Sequence, residues 1–329
     1  MDNPYAWRVF ISWHFGKTNV RGGGYLGCEF FFIVSGYYLL QNKQSSNSLK
    51  KFCLNRLKKL YPHFVLSILI CAAVGLPQTL ANICLNLIGF QLVFVSRYIN
   101  GVLWFIVAEI PVCIVLLLLY KLAKNNRITV NLYYIGITTI MLYIVYTVYS
   151  KYTSFDYVNL KFGDFAYPPF FRALYAVIYG IVINHIFSCE RIKSIVTKFA
   201  IQSKMLIFSL TFLTLYLQFV YPHTRIELLC VVILGVITGI SGNINWRYRT
   251  VPLSKYTHCI YIYQMIVITE FDKILGQKFS IFYGALLITS AFAFGIVMYY
   301  IWKFIRDIIQ KDGLNEHKSD ISSGFRASN

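Results

Sequence analysis

Long apolar runs are the feature that most constrains how this chain can fold. Nine stretches are each about 17–25 residues long, which is the length that an α-helix needs to cross the hydrocarbon core of a bilayer. A shorter apolar run covers residues 4–15. The nine stretches are 24–40, 60–76, 101–120, 129–149, 170–187, 204–221, 226–243, 255–271 and 279–303. We therefore predict an all-α fold, a polytopic membrane bundle of about ten transmembrane helices.

The composition agrees with a membrane environment. Of the 329 residues, 57% are hydrophobic and only 13% are charged, whereas a soluble domain carries about 25% charged residues. The net charge of +18 would suggest nucleic acid as a partner of a soluble protein. Here the basic residues cluster in short loops between apolar runs, where they set topology and meet anionic lipid. We expect membrane lipid, and no nucleic acid, as a partner.

A further apolar run, 79–95, allows two topologies. If it crosses the membrane, the basic loop that holds Lys121, Lys124 and Arg127 falls outside the cell; if it lies flat or re-enters, that loop falls inside. The positive-inside rule favours the second topology, which also places both termini in the cytoplasm.

The runs predict one membrane domain, residues 1–305, followed by a polar cytoplasmic tail, residues 306–329, that we expect to be loose. The run at 4–15 would rise only about 18 Å as a helix, against a hydrocarbon core of about 30 Å. Either this helix inserts only half way, or the natural reading frame begins upstream of Met1; we favour the second alternative.

Cysteine and histidine spacing gives no sign of a metal centre. The eight cysteines form no C-x-x-C pair and most lie within apolar runs, where cysteine acts as a small hydrophobe. Five histidines show no metal-ligand spacing, so we expect them to be interfacial or structural: His63, His185, His223, His258 and His317. We expect no metal cofactor.

The segment 22–37 is the most informative motif. Its glycines do not form a phosphate-binding loop, since no Gly-Lys-Ser/Thr follows and no strand precedes them. Taken alone, they indicate a flexible turn entering a helix in which Ser35 and Gly36 allow close packing.

Together with His14, this segment resembles the signature of the acyltransferase-3 family, in which a histidine ends the first helix and a Gly-x-Glu/Asp-x-Phe-Phe-x-x-Ser-Gly helix follows. Three further stretches are similar to the family: 56–62, Leu103-Trp104-Phe105 with Glu109, and 253–264. The resemblance implies an enzyme of the bacterial plasma (inner) membrane. It would move an acyl group, most simply acetyl, from cytoplasmic acyl-CoA to a hydroxyl of a cell-surface polysaccharide or glycolipid.

Three positions depart from the family pattern. Arg8 precedes His14 by six residues, where the family has an arginine about three helical turns before that histidine. Lys59 stands where arginine is usual, and Gln264 stands where histidine is usual.

The resemblance assigns His14 as the catalytic base, because a neutral imidazole can take the hydroxyl proton near the working pH. Glu29, one turn into the second helix, is a candidate to orient it. Glu109 is an intramembrane carboxylate that could orient His14, line the acyl path or form a structural ion pair.

Arg56 and Lys59 share one face of a helix. A forked guanidinium beside a point charge suits the phosphates of acetyl-CoA or another acyl-CoA. The alternative is that both residues serve topology alone.

Base and donor site are predicted at opposite membrane faces, so we expect the pantetheine arm to thread into the bundle. Two alternatives stay open. A transporter or exporter would also place polar groups inside a bundle, although the sequence shows no inverted repeat. A catalytically impaired relative would be consistent with the departures at Arg8 and Gln264.

Overall fold

The structure is a computed structural model that describes residues 24–41, 49–74, 79–89, 99–124, 126–151, 168–220, 226–244, 256–275 and 281–326. Every regular element in these ranges is helical, which confirms the all-α prediction. The helices are α1 (Gly24–Leu39), α2 (Leu49–Val74), α3 (Leu80–Ile88), α4 (Trp104–Ala123), α5 (Arg127–Lys151), α6 (Pro168–Phe187), α7 (Glu190–Lys198), α8 (Ala200–Val220), α9 (Ile226–Asn243), α10 (Thr257–Leu275) and α11 (Ile281–Arg326). A 3-10 turn, Gly101–Leu103, leads into α4.

Seven of the described helices are long and apolar enough to cross a membrane, and two shorter apolar segments occur at Leu26–Leu39 and Thr257–Ile268. Each of these nine overlaps one of the nine predicted runs. Many large apolar side chains on them are exposed, such as Ile135 on α5 and Phe212 on α8, and lipid is the solvent that such faces require. The polytopic membrane bundle is thus confirmed. The run at 4–15 lies outside the described residues, so the count of ten stays a prediction.

Three larger differences from the hydropathy pattern involve charged residues. Helix α2 begins at Leu49 rather than near residue 60, because its lysines and arginine are good helix formers that hydropathy does not register. The short charged helix α7 was not predicted for the same reason. Helix α11 continues to Arg326, through most of the segment that we expected to be a loose tail. That tail contains no proline, and polarity alone does not end a helix.

The apolar run at 79–95 begins as a short helix that ends early. Thr79 caps α3 by accepting a 3.3 Å hydrogen bond from the backbone N–H of Asn82. Gly89 ends it in the left-handed conformation (φ 80°), which glycine adopts without steric cost. Nine helical residues rise about 13.5 Å, less than half of the roughly 30 Å core. Residues 90–95 of the run lie outside the described residues, so whether the run crosses the membrane stays a prediction.

The described residues belong to two compact units. The first unit comprises Met1–Tyr61 and Thr79–Arg247, and the second comprises Pro62–Gln78 and Tyr248–Asn329. In the first unit α1 packs against α4, α6 and α9; in the second, α10 packs against α11.

Two glycines bring α1 and α6 into close backbone contact. A Cβ added at Gly36 would meet the carbonyl oxygen of Val177, and one added at Gly180 would meet that of Ile33. Small residues are how membrane helices approach closely, because lipid tails give apolar side chains no reason to associate. The motif glycine and its partner on α6 thus fix the register in which α1 presents its polar residues.

Candidate active site

A buried carboxylate on α4 joins three helices of the first unit. Only 2% of the Glu109 side chain is exposed. Its Oε1 atom accepts a 2.8 Å hydrogen bond from Nη1 of Arg56 on α2 and a 2.6 Å hydrogen bond from Oγ of Ser35 on α1. Sequence analysis placed Arg56 at the donor site and left a structural ion pair as one alternative for Glu109; the structure shows that the two residues form an ion pair.

The Arg56 guanidinium lies at the edge of this cluster. Its side chain is 30% exposed, and its Cζ atom is 5.6 Å from the centroid of the Phe52 ring. A guanidinium carries five N–H donors in a fixed fork. One is bonded to Glu109, which holds the fork in place and leaves the group able to bind an anion on its exposed side.

A second buried carboxylate lies on α1. Glu29 is fully buried, and its Oε1 accepts 2.8 Å contacts from both Nε and Nη2 of Arg172 on α6. Its Oε2 accepts a 2.6 Å hydrogen bond from the hydroxyl of Tyr175, one turn further along α6. The Arg172 guanidinium also lies 5.0 Å from the ring of Trp104 on α4, a cation–π distance.

The two carboxylate clusters follow one another along α1. Glu29 and Ser35 are six residues apart, which corresponds to about 9 Å of helical rise. Residue numbers increase together on α1 and α4, since Phe32 packs against Trp104 at 5.8 Å while Ser35 meets Glu109. The two helices therefore run in the same direction. This is the arrangement expected if only α2 crosses the membrane between them.

Of the other residues singled out from the sequence, the structure describes Lys59 and Gln264 but not His14 or Arg8. Lys59 lies on α2 with its side chain exposed, and Gln264 is half-buried on α10. His14 and Arg8 lie outside the described residues, so the base and its spacing from Arg8 stay predictions. The roles predicted for Glu29 and Glu109 in orienting His14 also stay predictions.

Comparison with protein families gives one match. The family model of acyltransferase-3, described as an acyltransferase domain, matches residues 3–302. The chain belongs to the acyltransferase-3 family. It is therefore an integral membrane protein of an acyltransferase family, as the motifs predicted. Comparisons with curated proteins and with solved structures gave no match.

Sequence reasoning missed two residues of the Glu29 cluster, Arg172 and Tyr175. A signal for Arg172 was present, because an arginine within the apolar run 170–187 is an intramembrane charge of the kind that drew attention to Glu109. No comparable signal identifies Tyr175, since the chain has 26 tyrosines. Tyr175 differs from the other tyrosines in that the packing of α6 against α1 brings its hydroxyl to Glu29.

Proposed function

We propose that this acyltransferase is an O-acyltransferase, and most simply an O-acetyltransferase. It takes the acyl group from cytoplasmic acetyl-CoA, or another acyl-CoA, and transfers it to a hydroxyl of a cell-surface polysaccharide or glycolipid. The membrane is a bacterial plasma membrane, with both termini of the chain in the cytoplasm.

The observation that carries the proposal is the contact among Arg56, Glu109 and Ser35. Arg56 belongs to the basic motif predicted to hold the donor, and Ser35 belongs to the signature helix that follows His14. The buried carboxylate of Glu109 accepts a hydrogen bond from each of these two side chains. The donor motif and the signature helix are thus one polar assembly in the first unit.

The positive charge of Arg56 suits a coenzyme A phosphate. Glu109 holds the guanidinium by one N–H, so binding a phosphate requires little ordering of the side chain. Lys59, exposed one turn further along α2, adds a second positive charge on the same face.

The reaction itself needs one base. His14 removes the proton of the acceptor hydroxyl as the oxygen attacks the thioester carbonyl, a C–O bond forms, and the C–S bond to coenzyme A breaks. The imidazolium then returns its proton to the departing thiolate. The products are an O-acyl ester and free coenzyme A.

Coenzyme A binding to the purified full-length protein tests the donor site. Replacing Arg56 with alanine removes at least one hydrogen bond to a charged phosphate, worth about 1.5–3 kcal/mol, so Kd should rise by at least about 10-fold, and by about 150-fold at the upper value. Lys50→Ala is the matched control, because Lys50 is an exposed cation on the same helix but outside the 56–62 motif. It should leave Kd within a few-fold of the wild-type value.

Arg56→Ala also leaves Glu109 buried without its cation, so a folding defect must be separated from a binding defect. The double variant Arg56→Ala/Glu109→Gln removes that uncompensated charge. It should regain much of the lost thermal stability and still bind coenzyme A weakly. Equal coenzyme A affinity of wild type and either Arg56 variant would contradict the donor site.

The acceptor is tested by mass spectrometry of cell-surface glycans from a strain that lacks the gene. An acyl mass missing from one glycan, and restored by the wild-type gene, identifies donor group and acceptor together. Unchanged glycan and glycolipid masses would contradict a surface acceptor.

A further inference from the structure

Three side chains with metal-binding chemistry lie together in the second unit. His63 is on α2, and His258 and Cys259 are in the first turn of α10. One ligand atom from each lies within 4.8 Å of the other two. His63 and Cys259 are buried, and His258 is half-buried. No spacing motif could reveal this group, because His63 and Cys259 are 196 residues apart in the sequence.

We propose that His63, His258 and Cys259 bind a transition-metal ion, for which Zn²⁺ is the best fit. A tetrahedral zinc ion with Zn–S of about 2.3 Å and Zn–N of about 2.0–2.1 Å separates a sulfur ligand from a nitrogen ligand by about 3.6 Å. The Sγ atom of Cys259 lies 3.6 Å from Nε2 of His63 and 3.4 Å from Nε2 of His258. Both separations match the edges of such a tetrahedron.

The donor set decides the class of metal. One thiolate and two imidazoles suit Zn²⁺, Co²⁺ or copper, whereas Mg²⁺ and Ca²⁺ prefer oxygen ligands. This proposal departs from the sequence-based expectation of no metal. The described residues supply three ligands in this group, and water or another ligand would complete the tetrahedron.

A neighbouring tyrosine orients one of the histidines. The Nδ1 atom of His63 lies 3.3 Å from the hydroxyl of Tyr263, one turn along α10 from Cys259. When Nδ1 carries the proton and donates it to that hydroxyl, Nε2 is left to bind the metal. Metal-binding histidines are almost always held in this way by an outer hydrogen bond. The ring of Trp302 on α11, 5.8 Å away, packs against His63 on another side.

The metal would join α2 to α10 within the second unit. Binding takes two neutral imidazoles and replaces the thiol proton of Cys259 with a metal–sulfur bond, so one proton is released per ion. Because the ligands come from distant parts of the chain, binding free energy stabilises the folded unit.

Cobalt titration of the full-length protein, purified in detergent and stripped with a chelator, tests the site. Wild type should bind one Co²⁺ per chain, with the thiolate-to-cobalt charge-transfer band of a cysteine ligand, and Zn²⁺ should displace it. Cys259→Ser should lose that band. Cys230→Ser removes an equally buried thiol from α9, outside the site, and should keep it.

Affinity separates metal ligation from simple packing. Tyr263→Phe should weaken metal binding by about 10–100-fold, the usual effect of losing an outer hydrogen bond, and loss of a ligand should weaken it further. If Cys259→Ser does not fold, His258→Gln serves instead, because His258 is only half-buried. No thiolate band in wild type, or an unchanged Kd in His258→Gln, would overturn the proposal.

Discussion

The buried ion pair between Glu29 and Arg172 gives the sharpest stability prediction. The Glu29 side chain is 1% exposed and the Arg172 side chain 3%. Replacing Arg172 with methionine therefore leaves the Glu29 carboxylate buried without its cation. Breaking a buried pair by removing one partner costs about 3–5 kcal/mol. That is a large share of the roughly 5–15 kcal/mol by which folded proteins are stable. Arg172→Met should therefore sharply lower the free energy of unfolding.

The loss of stability in Arg172→Met depends on the unpaired charge of Glu29. A double-mutant cycle measures that contribution. Glu29→Gln/Arg172→Met removes both charges, and replacing both ions of a buried pair is often close to neutral. The double variant should thus be more stable than Arg172→Met alone. Tyr175→Phe removes one of the hydrogen bonds to the carboxylate and should cost about 1.5–3 kcal/mol.

Denaturant unfolding of the purified protein in detergent, followed by tryptophan fluorescence, provides the assay. Arg191→Met is the matched control, since Arg191 is exposed on α7, and it should change stability by less than about 0.5 kcal/mol. The reasoning is refuted if Arg172→Met costs less than about 1 kcal/mol, or if the two single changes simply add in the double variant.

Two further predictions concern the packing and electrostatics of the first unit. Gly180→Val should destabilise the protein by about 1–3 kcal/mol, because the new Cβ would meet the Ile33 carbonyl. Gly136→Val is the control and should not destabilise it, since no atom lies within 4 Å of a Cβ added there. Equal unfolding midpoints of the two variants would contradict close α1–α6 packing. Glu109→Gln should raise the coenzyme A Kd by less than Arg56→Ala does, since the Arg56 guanidinium remains and only its ion pair with residue 109 is weakened. Isothermal titration measures both values, and weaker binding by Glu109→Gln than by Arg56→Ala would contradict the prediction.

The helices could be predicted from sequence because the bilayer sets their length and composition. The run at 226–243 coincides with α9, and 170–187 differs from α6 by two residues. Hydropathy could not locate the start of α2 or the continuation of α11, because charged helical residues carry no apolar signal. Helix bounds were thus predictable where the helix lies within an apolar run. They were not predictable where a charged part of the helix continues beyond that run.

The site could be predicted only in part. Glu109 stood out because a charge is costly within an apolar run, whereas Glu29 and Arg56 were identified through the motifs that resemble the family. The structure shows that each of the three lies in an ion pair. Which charges pair could not be predicted. Glu29 and Arg172 are 143 residues apart, so their contact depends on how Gly36 and Gly180 set the register of α1 against α6.

Transfer of labelled acetyl groups from coenzyme A to surface glycan, measured in membrane vesicles, tests acyl transfer by His14 directly. Removing a general base costs about 10²–10⁴-fold in rate, so His14→Ala should incorporate almost no label. His185→Ala is the control, because His185 is exposed and stacks on Tyr134 at 4.1 Å, and it should match wild type. Equal labelling by His14→Ala and wild type would contradict His14 as the base.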